Sequence, residues 1–395
     1  MGLKARALSL PTDEAHCQRV FSQTLAKVMD KTEENIRRFG EQFPYYGEGN
    51  RYTLTANSTW VSGYWTAWLW MAYYQTGDSV FKRAADGHFE GYNRRFNQPY
   101  IHCHDVGVIY DMTAVRGFHV TGEEKWKHVA LRAAALLSTR FHEKGEFLQA
   151  WGFPGDRGVN GGRTIIDSLC CTPLWLWAAE TTGDPYYREL AVRQARMIRE
   201  RLVRPDYSSG HTFLFDPETE EPVGIRTAQG CADDSTWSRG QAWGIQGFPV
   251  SYAFTGDPDF LRVALEMLDW YVDRLPDSLI PPWDFQVPEE ERDTSSLALA
   301  VNGMLRLAAL QTVPEEIREA CLRVSRSAML SLIERHGAAA DGEAWGLLRE
   351  GVYHKPQNKG VGEFVIWGDY YFLENLMILA GKNPLQLDMA HRLGR

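Results

Sequence analysis

Two aspartates occupy positions suited to acid–base chemistry. Asp105 follows a pair of histidines in HCHDVGVIYDM, and Asp167 follows two isoleucines in GRTIIDSLCCTP. Apolar residues before a carboxyl group predict a partly dry setting. Such a setting raises the pKa, as a general acid requires. Two carboxyl groups flanking a bond are the usual apparatus of glycoside cleavage. Aspartate is also a favoured helix N-cap, so a purely structural role is the alternative for each. A third stretch, DDSTWSRGQAW, sets Arg239 between Trp237 and Trp243. Aromatic faces beside a guanidinium suit a planar anion; the structural alternative is an ion pair of Arg239 with Asp233 or Asp234. His102 and His104 form an H-x-H-D string that on a strand would offer metal ligands. No third ligand cluster accompanies it, so neither a metal nor another cofactor is expected. His211 lies in a Gly/Ser-rich run, where it either binds a ligand or is simply solvated. The chain has no P-loop, no G-x-G-x-x-G after a strand and no G-x-S-x-G, which removes the simple nucleotide-binding and serine-hydrolase readings.

The elements that must position these residues follow from an internal repeat. TGDSVF begins at Thr76, TGEEKW at Thr121, TGDPYY at Thr182 and TGDPDF at Thr255, with weaker echoes in TVPEEI at Thr312 and GKNPLQ at Gly381. Glycine ends one helix in the left-handed conformation, and the acid caps the next. Before each turn the sequence is apolar nearly all round, as in GYWTAWLWMAYYQ. After it the sequence is amphipathic, as in FLRVALEMLDWYVDRL. The first kind predicts inner helices beginning near 62, 105, 166, 238, 295 and 368. The second predicts outer helices after the first five, with a sixth over 13–39. The fold class is therefore all-α: an (α/α)6 barrel of six inner and six outer helices, in a single domain spanning 1–395. In it all inner helices run the same way. Asp105, Asp167, Arg239 and Trp243 then share one barrel face with Trp60 and with WGDYY at 367–371, and the long loop after Ser208 opens onto it. Helix N-termini suit an anionic ligand.

The 395 residues carry a net charge of −9 and no Lys/Arg cluster, which argues against nucleic acid. No run of apolar residues is long enough to span a membrane, and MGLKARALSLPTDEAHC lacks a signal-peptide core. Six cysteines without a C-x-x-C pair read as reduced thiols of a cytoplasmic protein. The 14 tryptophans lean toward carbohydrate, because sugar rings stack on aromatic faces.

Five segments in order, W-x-x-G at Trp60, HDVG at 104–107, IIDSLCCTPLWLWA, STWSRGQAW and WGDYYFLENL, resemble the unsaturated glucuronyl hydrolases of glycoside hydrolase family 88 over nearly the whole chain. Related rhamnogalacturonyl hydrolases typically carry asparagine-glycine where this chain has Gln241-Ala242. Val108 departs from the family's usual aromatic residue, a change expected to alter the pocket wall. The resemblance implies a substrate left by a polysaccharide lyase, a di- or oligosaccharide ending in a 4,5-unsaturated uronate, and hydration of its C4=C5 enol ether. It implies Asp167 as acid/base and Asp105 as the second essential aspartate. It also implies sugar binding by His211 and Gln229, aromatic walls from Trp60, Trp237 and Trp243, and Arg239 at the uronate carboxylate. The alternatives are a rhamnogalacturonyl hydrolase-like enzyme, a sugar epimerase and a non-catalytic sugar-binding barrel.

Overall fold

The computed structural model describes residues 2–11, 13–98, 103–289, 291–382 and 384. The chain is mostly helical. It opens with α1 (Leu3–Ser9) and the amphipathic α2 (Glu14–Phe39), then alternates between two kinds of helix. α3 (Ser62–Thr76) is apolar and is followed by the short α4 (Ser79–Gly87) and α5 (Phe89–Arg95). α6 (Val106–Tyr110), a π-helical stretch (Asp111–Val115) and α7 (Arg116–Thr121) form one continuous, mostly buried element before α8 (Glu124–Ser138). A 3-10 helix (Ile166–Cys171) leads into α9 (Thr172–Thr182), followed by α10 (Pro185–Arg201). α11 (Ser238–Thr255) precedes α12 (Pro258–Asp273), α13 (Thr294–Ala309) precedes α14 (Glu315–His336), and α15 (Ile366–Leu379) is the last helix among the described residues. The predicted starts of the apolar helices lie within two residues of these.

The apolar helices pack in sequence order: α3 on α6 and α7, α6 on α9, α9 on α11, α11 on α13, α13 on α15, and α15 back on α3. They have no polar side to offer water. Every residue of α13 from Thr294 to Leu307 is buried, as is every residue of α15 from Ile366 to Met377. Amphipathic helices cover them: α4 on α3, α10 on α9, α12 on α11, α14 on α13, and α2 on α15 and α3.

The repeated turn explains the alternation. Gly77, Gly122, Gly183 and Gly256 all adopt φ of 71–75°, the left-handed region. Asp78, Asp184 and Asp257 cap the following helices; Glu123 does not. The threonine has a role the sequence did not disclose. Each hydroxyl donates to the carbonyl four residues back, as Thr76 does to Ala72 at 2.8 Å. It also accepts the N–H two residues on, as from Asp78 at 3.1 Å. Thr121, Thr182 and Thr255 do the same. The TVPEEI echo is not this turn: α13 ends on an extended Leu310 and Pro314 precedes α14. The second echo runs largely outside the described residues.

The fold is mostly helical, in line with the all-α expectation, but short strands are added to the helices. Among the described residues, nine short strands form four small antiparallel sheets, three of which are two-stranded hairpins. Most of the long stretch after Ser208, expected as loop, is hairpin. β6 (Thr212–Phe215) pairs with β7 (Pro222–Arg226) and with β5 (Arg163–Ile165). No helix among the described residues is long and apolar enough to cross a membrane. All six cysteines are unpaired.

Candidate active site

The starts of four apolar helices, the β5–β7 sheet and the hairpin before α15 enclose a cavity of about 200 Å³. It is lined by Trp60, His104, Asp105, Trp151, Ile165, Asp167, Ala228, Gln229, Trp237, Arg239, Trp243, Tyr353 and His354. Seven of the eight residues singled out from sequence are on this wall. The eighth, His211, packs against Trp237 with ring centroids 4.6 Å apart. A larger groove of about 770 Å³ is lined in part by Asp234 and Thr236, but none of the eight reaches it.

Neither aspartate caps a helix through its side chain. Asp105 precedes α6 yet its side chain accepts no capping bond, and Asp167 lies inside the first turn of its 3-10 helix. Asp167 Oδ1 is buried with no hydrogen-bond partner. Burial first, then the neighbouring Asp105 carboxylate, raise Asp167 to about 8, against smaller pulls from its own backbone N–H and Arg239. Asp167 therefore holds a proton at neutral pH. The two aspartate-bearing turns are pressed together at Gly107, where a side chain would collide with Cα and Cβ of Cys171.

His211 is buried and not solvated. Strand register puts it there: Thr212 pairs with Ile165, and the His211 carbonyl accepts the Ile166 N–H at 3.0 Å. Its Nδ1 accepts the backbone N–H groups of Ala228 at 3.0 Å and Gln229 at 3.1 Å. The ring proton therefore sits on Nε2, which is buried without a partner. Burial, aided by the charges of Arg239 and His354, lowers His211 to about 3, so it remains a neutral donor.

Arg239 pairs with neither Asp233 nor Asp234. Nη1 donates to Asp293 Oδ2 at 2.9 Å and to the Val352 carbonyl; Nη2 donates to Gln229 Oε1 and to the Tyr353 carbonyl, both at 2.8 Å. Arg239 starts α11 and is buried, so its side chain meets the helix starts beside it, whereas Asp233 accepts the Thr227 N–H in the preceding loop. The guanidinium lies 4.4 Å from the Trp237 ring centroid and 4.9 Å from that of Trp367, which is 4.9 Å from Trp60. The planar group against the Trp237 face is thus Arg239 itself, and Trp243 instead meets Tyr371 edge-on. Because Gln229 Oε1 is held by Arg239, its amide nitrogen is the end left for the cavity.

Sequence reasoning missed Asp293, Trp151, Tyr353 and His354. Asp293 reads as an ordinary N-cap before α13, and it is one, accepting Ser295 N–H at 3.1 Å. Its second oxygen holds Arg239, which no local pattern announces. Tyr353 and His354 come from hairpin β8 (Gly351–His354) and β9 (Lys359–Glu363). Val108 faces a different cavity, beside Met112 and Trp177, so its departure leaves this wall unchanged. Gln241 is buried against the carbonyls of Tyr207 and Met267. His102 lies outside the described residues, and among those described no three His, Cys, Asp or Glu side chains form a metal-ligand group.

No family model matches the chain. Individual relatives do. The unsaturated glucuronyl hydrolase of Bacillus sp. (strain GL1) is 37% identical over 365 residues, covering 91% of this chain and 97% of the relative. The unsaturated chondroitin disaccharide hydrolase of Streptococcus pyogenes serotype M1 is 34% identical over 367 residues, 91% of each chain. The crystal structure of the Bacillus sp. GL1 enzyme superposes with a TM-score of 0.88 over 91% of this chain and 97% of that one. A mutant unsaturated glucuronyl hydrolase from Streptococcus agalactiae complexed with dGlcA-GalNAc6S superposes at 0.81, with 32% identity and 95% of each chain covered. With relatives this similar matched over nearly their full length, and with paired aspartates at the start of neighbouring helices, the chain belongs to the unsaturated glucuronyl hydrolase family.

Proposed function

We propose that this chain releases the 4,5-unsaturated uronic acid from the non-reducing end of lyase-generated glycosaminoglycan-type oligosaccharides by hydrating the C4=C5 enol ether. The observation that carries the reading is Asp167, a half-buried residue whose Oδ1 is buried and partnerless and whose carboxyl is raised to about 8 beside a second carboxylate. A protonated acid in a site this small suits proton delivery to carbon. Asp167 gives its proton to C4, and positive character develops at C5 and the ring oxygen. Water loses a proton to the Asp167 carboxylate as its oxygen bonds to C5. The C5 hemiketal opens to a ketone, leaving a hemiacetal at C1 that expels the remaining sugar with its glycosidic oxygen. Asp105 positions the sugar and offsets the developing positive charge. His211 Nε2–H and the Gln229 amide donate to the sugar, and Trp60, Trp237 and Trp243 wall it. Arg239 acts on the uronate carboxylate through its positive potential and through the amide it orients. No cofactor enters any step.

The helices fit an (α/α)6 barrel with α3, α6–α7, α9, α11, α13 and α15 inside, built as one catalytic domain over 1–395. Unpaired cysteines and the absence of a spanning helix among the described residues suit a cytoplasmic enzyme whose partner is an unsaturated oligosaccharide, not nucleic acid or membrane. The test is hydrolysis in heavy water of unsaturated disaccharides from chondroitin, hyaluronan, heparin and xanthan. Loss of the ultraviolet absorbance of the conjugated uronate, with one deuterium placed at C4, is expected. Cleavage of a saturated glucuronide at a comparable rate would overturn the reading, because that sugar has no double bond to protonate.

A further inference from the structure

His104 precedes Asp105 and Ser168 follows Asp167, and both are wholly buried. Their side chains meet, with His104 Nδ1 2.9 Å from Ser168 Oγ. On the other edge of the ring, Nε2 is buried without a hydrogen-bond partner and lies 3.7 Å from Asp105 Oδ1. The backbone is pinned as well: the His104 N–H donates to Ala150 and its carbonyl accepts from Gly107, both at 2.8 Å. The arrangement that serves both neighbours has the Ser168 hydroxyl donating to Nδ1 and the ring proton on Nε2, facing the carboxylate. Cys171 and Arg140 also face this imidazole, while Asp105 and Arg239 face Asp167.

We propose that His104 is a positioning residue for the hydration reaction, bracing the Asp105 turn against the Asp167 turn through Ser168 and orienting the Asp105 carboxylate with its Nε2–H. The inference rests on the assignment of Asp167 as proton donor. Asp105 so placed repels a carboxylate at Asp167 and keeps the proton there. His104 thus acts on the acid at one remove, without touching substrate.

Two substitutions separate this role from simple bracing. In His104→Asn the amide reaches the Ser168 side of the ring position only; in His104→Gln it extends toward Asp105. Assayed on an unsaturated disaccharide, His104→Asn should lose up to about 10²-fold in kcat with KM little changed, the scale of a misplaced catalytic group. Its loss of rate on raising pH should begin lower than in wild type, because a displaced Asp105 repels the Asp167 carboxylate less. His104→Gln should lose less. Wild-type kcat and pH profile in His104→Asn, or greater damage in His104→Gln, would overturn the proposal. If neither variant folds, Ser168→Ala decides: lowered kcat with the same pH shift supports the proposal, and wild-type behaviour sinks it. Asp167→Asn in the same assay tells the two failures apart. If it is active, the underlying assignment is wrong; if it is dead while His104→Asn is normal, only this inference fails.

Discussion

Asp167 and Asp369 each sit in the first turn of a buried helical segment, one lining the cavity and one away from its wall. Asp369 has both oxygens satisfied. Oδ2 accepts the Tyr52 hydroxyl at 2.5 Å and the Leu347 N–H at 2.7 Å, and Oδ1 accepts the Leu348 N–H at 2.9 Å. It thereby ties α15 to strand β2 (Arg51–Thr55) and to the loop before β8. Burial raises it to about 7, with those bonds and Lys31 pulling down. Asp167 is raised further, to about 8, with a buried oxygen bonded to nothing. An unsatisfied buried polar atom costs about 1–3 kcal/mol. The fold tolerates that cost where a ligand completes the site and avoids it where only structure is at stake.

The sharpest way to break this comparison is Asp167→Asn. It removes the transferable proton while keeping the shape, so kcat should fall about 10² to 10⁴-fold. Its melting temperature should match or exceed that of wild type, since an ionisable group leaves a dry site. Near-normal turnover would return Asp167 to a structural role. Asp369→Asn should do the reverse. An amide N–H there must face one of the three donors, costing roughly 1–3 kcal/mol of stability by denaturant titration, while kcat of the folded protein changes far less than in Asp167→Asn. Equal losses of activity in the two variants would erase the distinction.

Arg239→Lys probes the link between the two regions. Lysine keeps the charge but loses the planar fork, so Gln229 and the Trp237 face lose their anchor. Substrate affinity should drop roughly tenfold, about one hydrogen bond to a charged group. Methyl esterification of the uronate then sharpens the assignment. If Arg239 acts through its neighbours, the ester weakens wild type and variant by the same factor; a variant indifferent to the ester would mean a direct clamp.

The smallest effect is on the slope of stability against pH. Both folded pKa values lie above the unfolded aspartate value of about 3.9, so ionisation penalises the native state. The stabilisation is complete below the unfolded pKa and is lost as pH rises through about 7 for Asp369 and about 8 for Asp167. Thermal melts across that window should flatten in each Asn variant, and further toward alkaline pH in Asp167→Asn.

Much of this molecule is readable from local pattern. A helix apolar all round must be covered on all sides, and Thr-Gly-acid marks where one helix yields to the next, so the helix starts and the face they share followed directly. Asp105, Asp167 and the tryptophans sit at those starts, which is why they were singled out. Contacts made by distant segments were not readable. The Arg239–Asp293 pair joins the starts of α11 and α13, and Asp293 reads locally only as a cap. The β5–β6 register that seats His211 depends on strands too short to show an alternation. The hairpin carrying Tyr353 and His354 has no chemical signature of its own.

The return of α15 onto α3 has a consequence for how the chain is made. Trp65, Trp68 and Trp70 of α3 are fully buried in the finished molecule, and a helix buried on every side gains little stability alone. Synthesis delivers α3 early and its last neighbour only after Ile366 has left the ribosome. During that interval the indoles have no permanent cover, and pairings of such long sequence separation form slowly and invite aggregation. Loss of α15 would therefore not trim the protein but leave its first apolar helix without a wall, and production in cells should depend on chaperones that shield nascent aromatic segments until α15 has emerged.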